Sequence, residues 1–189
     1  MSESYACSDL PLPSLDTWGK EVFSSSPHLL ILGIGNPDRQ DDGLAWHLVN
    51  RLATDWGYSK GLDFGETLPV NERLTLRTEL QLTPEMAEDL AAYTHVCFID
   101  AHTGALPNEI CWQTLQAGFQ PSPLSHHLTP QSCLALAEAL FGHAPSGILL
   151  SVRGYEFGFS RQLSPRTQAL LDTAVHLLLQ WLSPLTHHR

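Results

Sequence analysis

The stretch LLILGIGNPDRQDDGLAWHLV, residues 29–49, lays out a buried strand, a tight turn and the first turns of a helix. A continuous apolar run at 28–34 ends at a glycine, as in a strand that is covered on both faces of a sheet. Behind the turn, leucines at a spacing of four predict an amphipathic helix over 42–56. The turn itself carries three acids, so the first question is what a glycine turn rich in carboxylates binds.

The rest of the chain alternates strand and helix patterns. After a predicted loop at 57–72, period-two alternation or apolar runs predict strands within 71–82 and at 95–100, 109–114 and 147–153. Three helices open with a hydroxyl residue and a proline, Thr83-Pro84, Thr129-Pro130 and Ser164-Pro165, and are predicted at 84–92, 130–141 and 165–182. This order predicts a single α/β domain at 28–189, with a largely parallel twisted sheet and helices on both faces, behind an irregular leader at 1–27.

Composition and charge narrow the range of partners. Twenty acids against ten bases give a formal charge of −10 with His neutral, which argues against nucleic acid and anionic membranes because Lys and Arg hold both. The N-terminus lacks the basic and apolar regions of a signal peptide, and no apolar run approaches the roughly 20 residues that span a bilayer. Four cysteines without CxxC spacing argue against a disulfide framework. We therefore expect a cytoplasmic protein.

Several well-known binding and catalytic motifs are absent from the sequence. A dinucleotide fingerprint needs a third glycine where Asp38 stands, and carboxylates beside a pyrophosphate would repel it. Neither a G-x-S-x-G elbow nor an H-E-x-x-H pair occurs, so the sequence does not indicate a serine hydrolase or a zinc protease of those types.

Acids and histidines at strand ends form a different candidate site. Ligands of such sheets bind outside the carboxyl ends of the strands, where Asp42 follows the first strand and Asp100 ends a later one. The loop ahead of the 130–141 helix adds His126 and His127. Two carboxylates and one histidine suit a divalent transition metal such as Zn or Ni, with other coordination positions open to water or substrate.

Each of these acids also has a purely structural interpretation. Asp41 suits a helix N-cap, and Asp42 in the first turn would complement the helix dipole. Asp100 could simply hydrogen-bond a neighbouring loop. The convergence of the acids and a histidine on one sheet edge is what favours the metal interpretation.

Four motifs together resemble the hydrogenase maturation endopeptidases, which process the large subunit of nickel–iron hydrogenases. These motifs are the strand and turn LGIGNPDRQDDGLA, the strand FIDA, the histidine loop SHHLTP and the late LSP. The resemblance covers about 29–182. The segment ELQLTPEMAEDLA is similar to one branch of the family, whereas other branches have a D-G-G-T glycine turn that this chain lacks.

The resemblance implies a specific function. Family members remove a short C-terminal extension from the large-subunit precursor after nickel insertion, and they recognise the bound nickel through two carboxylates and one histidine. Carried over, the nickel ligands are Asp42, Asp100 and His126, with His127 as the alternative histidine. The nickel would be the substrate's own, so the isolated protein, which we expect to be a monomer, requires no tightly held metal.

Two points stay open in the sequence. Hydrolysis could use a metal-polarised carbonyl or a water activated by metal or carboxylate, and Asp38 is a candidate for substrate contact or acid–base assistance. The same three ligands would also serve a non-catalytic nickel-site checkpoint or chaperone, or a stand-alone metal hydrolase acting on small amides.

Overall fold

The computed structural model describes residues 12, 28–104, 106–119 and 128–186. Apart from Leu12, the leader predicted at 1–27 lies outside the described residues. Among the helices in the described ranges, none is both long and apolar enough to cross a membrane.

A six-stranded sheet forms the centre of the domain, in the order β2-β3-β1-β4-β6-β5. The strands are β1 (Leu29–Ile34), β2 (Thr67–Asn71), β3 (Leu74–Glu79), β4 (His95–His102), β5 (Ile110–Leu115) and β6 (Ser146–Arg153). The four inner strands β3, β1, β4 and β6 are parallel, whereas the edge strands β2 and β5 pair antiparallel to their neighbours. All six residues of β1 are buried, as its continuous apolar run predicts.

Helices cover both faces of this sheet. They are α1 (Leu44–Asp55), α2 (Met86–Ala91), α3 (Pro130–Phe141) and α4 (Pro165–Thr186). Alternate residues of the strands feed two cores, one shared with α1 and α4 and the other shared with α2 and α3. The predicted α/β architecture is therefore confirmed, with a sheet that is parallel in its centre and antiparallel at its edges.

The structure corrects the sequence prediction at two element boundaries and adds one strand. The predicted loop at 57–72 contains β2, an edge strand that is only partly buried and therefore lacks a long apolar run. A 3-10 turn at Gln40–Gly43 precedes α1, so the regular helix begins at Leu44 instead of at residue 42. Helix α4 runs four residues beyond the predicted end at 182 and contains Pro184 near its last turn.

Two of the three predicted hydroxyl caps are present. The Thr129 side chain accepts the Ser132 N–H at 3.2 Å, and Gly142 closes the same helix with φ 72°. The Ser164 hydroxyl accepts the Thr167 N–H at 3.3 Å at the start of α4. The predicted Thr83 cap is wrong, because α2 begins only at Met86 and its N-cap residue makes no side-chain capping bond.

The cysteines depart in part from the sequence expectation. Cys97 and Cys133 are free and buried, as small apolar residues of the core. Cys111 is disulfide-bonded, which the absence of a CxxC pattern did not predict.

Candidate active site

The acidic turn and Asp100 lie at the same edge of the sheet. Strands β1 and β4 are adjacent and parallel, and Gly33 of β1 pairs with Ile99 of β4. Asp100 follows that pair directly, while the chain leaves β1 one residue further on to form the turn. This is the carboxyl edge of the parallel strands, where ligands of such sheets bind.

Close backbone approaches shape the turn that carries Asp42. Gly35 has φ 143°, and a Cβ atom at this position would lie 2.0 Å from the carbonyl oxygen of Asp42. A Cβ atom on Gly43 would lie 2.4 Å from the Cα atom of Pro37. The turn therefore folds tightly on itself, and only glycine fits at these two places.

A backbone N–H group orients the partly buried Asp42 side chain. The Asn36 N–H donates to Oδ2 of Asp42 at 3.1 Å. The Asn36 side chain in turn accepts the Asp38 N–H at 2.9 Å, which fixes the Asn36 peptide within the turn. Asp42 thus points its carboxylate back across the turn at the end of β1. This hydrogen bond gives Asp42 a role beyond complementing the dipole of the helix.

Burial and the nearby charge of Asp42 both act on the pKa of Asp100. Burial raises the pKa of Asp100 to about 7, and the negative charge of Asp42 adds to this rise. The Ala101 N–H, which donates to Oδ1 of Asp100 at 2.8 Å, lowers the pKa and opposes these two effects. A cation between the carboxylates would relieve the repulsion and favour the ionised form of Asp100.

The predicted third ligand cannot be placed in this geometry. His126 and its alternative His127 both lie outside the described residues. Within the residues that the structure describes, no group of three His, Cys, Asp or Glu side chains could hold a metal ion. The structure therefore brings Asp42 and Asp100 together, and the histidine stays a prediction.

Asp41 has a role that its expected assignment as a helix N-cap misses. Gly43 is the N-cap residue of α1, and Asp41 is completely buried. Its carboxylate accepts five hydrogen bonds of 2.7–2.8 Å from the segment that links β6 to α4 and from the first turn of α4. The donors are the N–H groups of Tyr155, Glu156 and Ser164 and the hydroxyls of Ser164 and Thr167.

These hydrogen bonds keep Asp41 ionised in spite of its burial. Burial by itself raises the pKa of Asp41, but the hydrogen bonds, led by that from Thr167, outweigh it and hold the pKa below the usual value. Asp41 thereby fastens the acidic turn to the β6–α4 connection. The LSP motif contained a signal for this contact, since its Ser164 both caps α4 and donates to Asp41.

Asp38 lies on the outer side of the same turn. Its exposed carboxylate forms an ion pair with Arg161, from the connection between β6 and α4. The sequence candidate for substrate contact or acid–base assistance is therefore a solvent-facing acid with a cationic partner.

A second polar cluster at this edge was not predicted from the sequence. The Glu109 carboxylate, just before β5, accepts hydrogen bonds from the Tyr155 hydroxyl and from Arg166 at the start of α4. The guanidinium groups of Arg153 and Arg166 lie 5.0 and 4.1 Å from the centre of the Tyr155 ring. No local motif joins these residues, which are brought together by the antiparallel pairing of β5 with β6.

Comparison with known proteins identifies the fold. No protein-family model and no curated protein sequence matches the chain. Solved structures do match. The NiFe hydrogenase maturation protease HycI from Thermococcus kodakarensis is similar with a TM-score of 0.60 at 19% identity, covering 87% of this chain and 97% of that one.

Two further structures point the same way. The hydrogenase maturating endopeptidase HybD from E. coli is similar with a TM-score of 0.57 at 18% identity, covering 83% of this chain and 93% of that one. The hydrogenase 2 maturation peptidase from a Thaumarchaeota archaeon gives a TM-score of 0.54 at 20% identity, covering 82% and 97%. The chain has the fold of the hydrogenase maturation proteases.

Proposed function

We propose that the protein is an endopeptidase that removes the C-terminal extension of a nickel–iron hydrogenase large-subunit precursor once nickel has been inserted. The observation that carries this proposal is the pair of carboxylates, Asp42 and Asp100, at the carboxyl edge of a sheet with this fold. The fold supports the reaction class by analogy, and the acid pair supports recognition of a metal ion.

Each of the two carboxylates has one oxygen bonded to the backbone and one oxygen available for a cation. One oxygen is fixed by a backbone N–H group, Oδ2 of Asp42 by Asn36 and Oδ1 of Asp100 by Ala101. Within the described part of the chain, no hydrogen bond occupies the second oxygen of either side chain. These free oxygens can coordinate the nickel that the precursor carries, with His126 as the proposed third ligand and His127 as the alternative.

In this mechanism the nickel belongs to the substrate and serves as the docking point. Coordination by Asp42 and Asp100 holds the precursor at one position, so that the peptide bond to be cleaved lies at the same sheet edge. Hydrolysis then adds water across that bond and releases the extension. Because recognition and positioning depend on the precursor's metal, the free protein requires no tightly held metal of its own.

The decisive experiment compares nickel-loaded with nickel-free precursor. The purified protein is incubated with each form, and the intact mass of the large subunit is measured. We expect loss of the extension from the loaded form only. Metal analysis of the purified protein is expected to show far less than one nickel per chain.

Two outcomes would contradict parts of this proposal. Stable binding of the loaded precursor without loss of mass would favour the non-catalytic checkpoint. Equal cleavage of both forms would show that nickel is not what the protein recognises.

A further inference from the structure

Phe159 has an unusual position beside the acidic turn. It lies in the connection between β6 and α4, and its side chain is 97% exposed. Phe157, two residues earlier, is partly buried, and its ring fills the space that a Cβ atom on Gly154 would occupy. The same loop therefore packs one aromatic ring inward and leaves the other entirely in water.

The exposure of Phe159 does not come from a loose loop. The N–H group of Gly158 donates to Oε1 of Gln40 at 3.0 Å, and the Gln40 N–H donates to the carbonyl of Ser160 at 2.7 Å. Both neighbours of Phe159 are thus fixed to the acidic turn. Asp41 fixes the beginning of the loop through its bonds to the N–H groups of Tyr155 and Glu156.

Residues close to Phe159 in the loop form polar contacts with the acidic turn. Nε2 of Gln40 donates to Glu156 at 2.8 Å, and Arg161 pairs with Asp38. An exposed aromatic residue on a fixed backbone, with polar residues close by in the chain, is typical of the residues that dominate binding energy in protein–protein interfaces. Because its backbone is already fixed, binding of such a residue costs side-chain conformational entropy but little backbone entropy.

The shape and charge of this surface narrow the class of ligand. A ring that projects from the surface must enter a concave pocket on a partner, whereas small molecules bind in concave sites of the protein itself. The formal charge of −10 argues against nucleic acid and anionic lipid as that partner. A protein with an apolar surface pocket remains.

We propose that Phe159 is a docking residue that inserts into an apolar pocket on the folded hydrogenase large-subunit precursor. This inference rests on the proposed function. The hydrogen bonds of Gln40 and Asp41 join the Phe159 loop to the turn that carries Asp42. A precursor whose nickel meets Asp42 therefore also presents its folded surface to Phe159. The contact adds recognition of the folded protein to recognition of the metal.

The test is steady-state processing of nickel-loaded precursor by wild-type, Phe159→Ala and Phe159→Leu proteins. The matched control is Leu140→Ala, which truncates an apolar side chain that is 66% exposed on α3, outside this loop. We expect Phe159→Ala to raise KM about tenfold or more with kcat nearly unchanged, and Phe159→Leu to raise it less. Leu140→Ala should leave KM at the wild-type value, and all variants should unfold at the wild-type temperature.

The outcomes separate this inference from the proposed function. If the wild type cleaves the precursor and Phe159→Ala has the KM of the Leu140→Ala control, the docking role is wrong and the function stands. A loss in kcat with unchanged KM would also overturn the docking role. If Phe159→Ala abolishes a self-association of the wild type, the ring contacts a second copy instead. Failure of the wild type to bind or cleave loaded precursor would overturn the function and this role with it.

Discussion

Asp41 and Ser164, which lie 123 residues apart in the chain, are joined by two hydrogen bonds. Oδ1 of Asp41 accepts the Ser164 N–H at 2.7 Å, and Oδ2 accepts the Ser164 hydroxyl at 2.7 Å. Asp41, which is next to a proposed nickel ligand, thus has a structural role. By joining the acidic turn to Ser164, Asp41 fixes the position of the turn that carries its neighbour Asp42.

Replacing Asp41 by Asn should therefore destabilise the protein strongly. An Asn amide would place its NH2 group against donors that Asp41 now satisfies, and it would leave buried groups without partners. We expect Asp41→Asn to lower the free energy of unfolding by about 2–4 kcal/mol, measured by urea denaturation. Asp38→Asn, in the same turn but exposed, should change it by less than about 1 kcal/mol. Equal effects of the two substitutions would contradict the structural role of Asp41.

A methyl group at Gly35 should disrupt the turn that carries Asp42. Gly35→Ala would place Cβ 2.0 Å from the Asp42 carbonyl oxygen, so backbone atoms must move. Gly57 is a matched control, because it also has a positive φ, of 88°, but a Cβ there meets nothing within 4 Å. We expect Gly57→Ala to cost about 1–2 kcal/mol in unfolding free energy, from backbone strain alone, and Gly35→Ala to cost more. Similar losses would show that the close approach does not constrain the turn.

The sequence predicted the central part of the fold because its signals there are local. The buried run of β1, the leucine spacing of α1 and the Thr129-Pro130 start of α3 each lie within a few residues, and each element is present. Strand β2 lacked such a signal because an edge strand is stabilised by pairing with β3, not by an apolar run of its own.

In the candidate site, too, the residues with local sequence signals could be predicted and those with distant partners could not. Asp42 and Asp100 could be placed on one edge because each follows or ends a strand of a predicted parallel sheet, whose carboxyl ends lie at the same edge. Asp41 was assigned to a local cap because its partners, such as Thr167, lie more than 100 residues away, where sequence spacing carries no information. The exposure of Phe159 could not be predicted either, because it depends on which of two nearby aromatic residues the folded loop buries.

The raised pKa of Asp100 predicts a stability that falls with pH. The carboxyl titrates near its ordinary pKa in the unfolded chain but at about 7 in the folded protein, so between these values the folded state binds more protons. Stability from this group is therefore present below about pH 4 and is lost as the pH rises to about 7.

Asp100→Asn tests this dependence, because it removes the charge and keeps the shape. At pH 8, where wild-type Asp100 is ionised, we expect the variant to have a higher free energy of unfolding in urea by roughly 1–4 kcal/mol. The lower end of this range allows for solvent screening of the partly exposed side chain. The difference should shrink as the pH falls below about 7. A variant that is less stable than the wild type at pH 8 would show that the ionised carboxylate is well satisfied in the free protein.

The choice between the two histidines can be made with a matched pair of variants. His126→Ala is expected to abolish processing of nickel-loaded precursor, as should Asp42→Ala, because each removes a proposed nickel ligand. The loss in kcat/KM should exceed the roughly 10–100-fold effect that is typical of changes outside the ligand shell.

His127→Ala, one residue away in the same loop, should process the precursor at a rate near that of the wild type. The reverse order for the two histidines would make His127 the ligand. Near-normal processing by Asp42→Ala would leave that residue a structural role only.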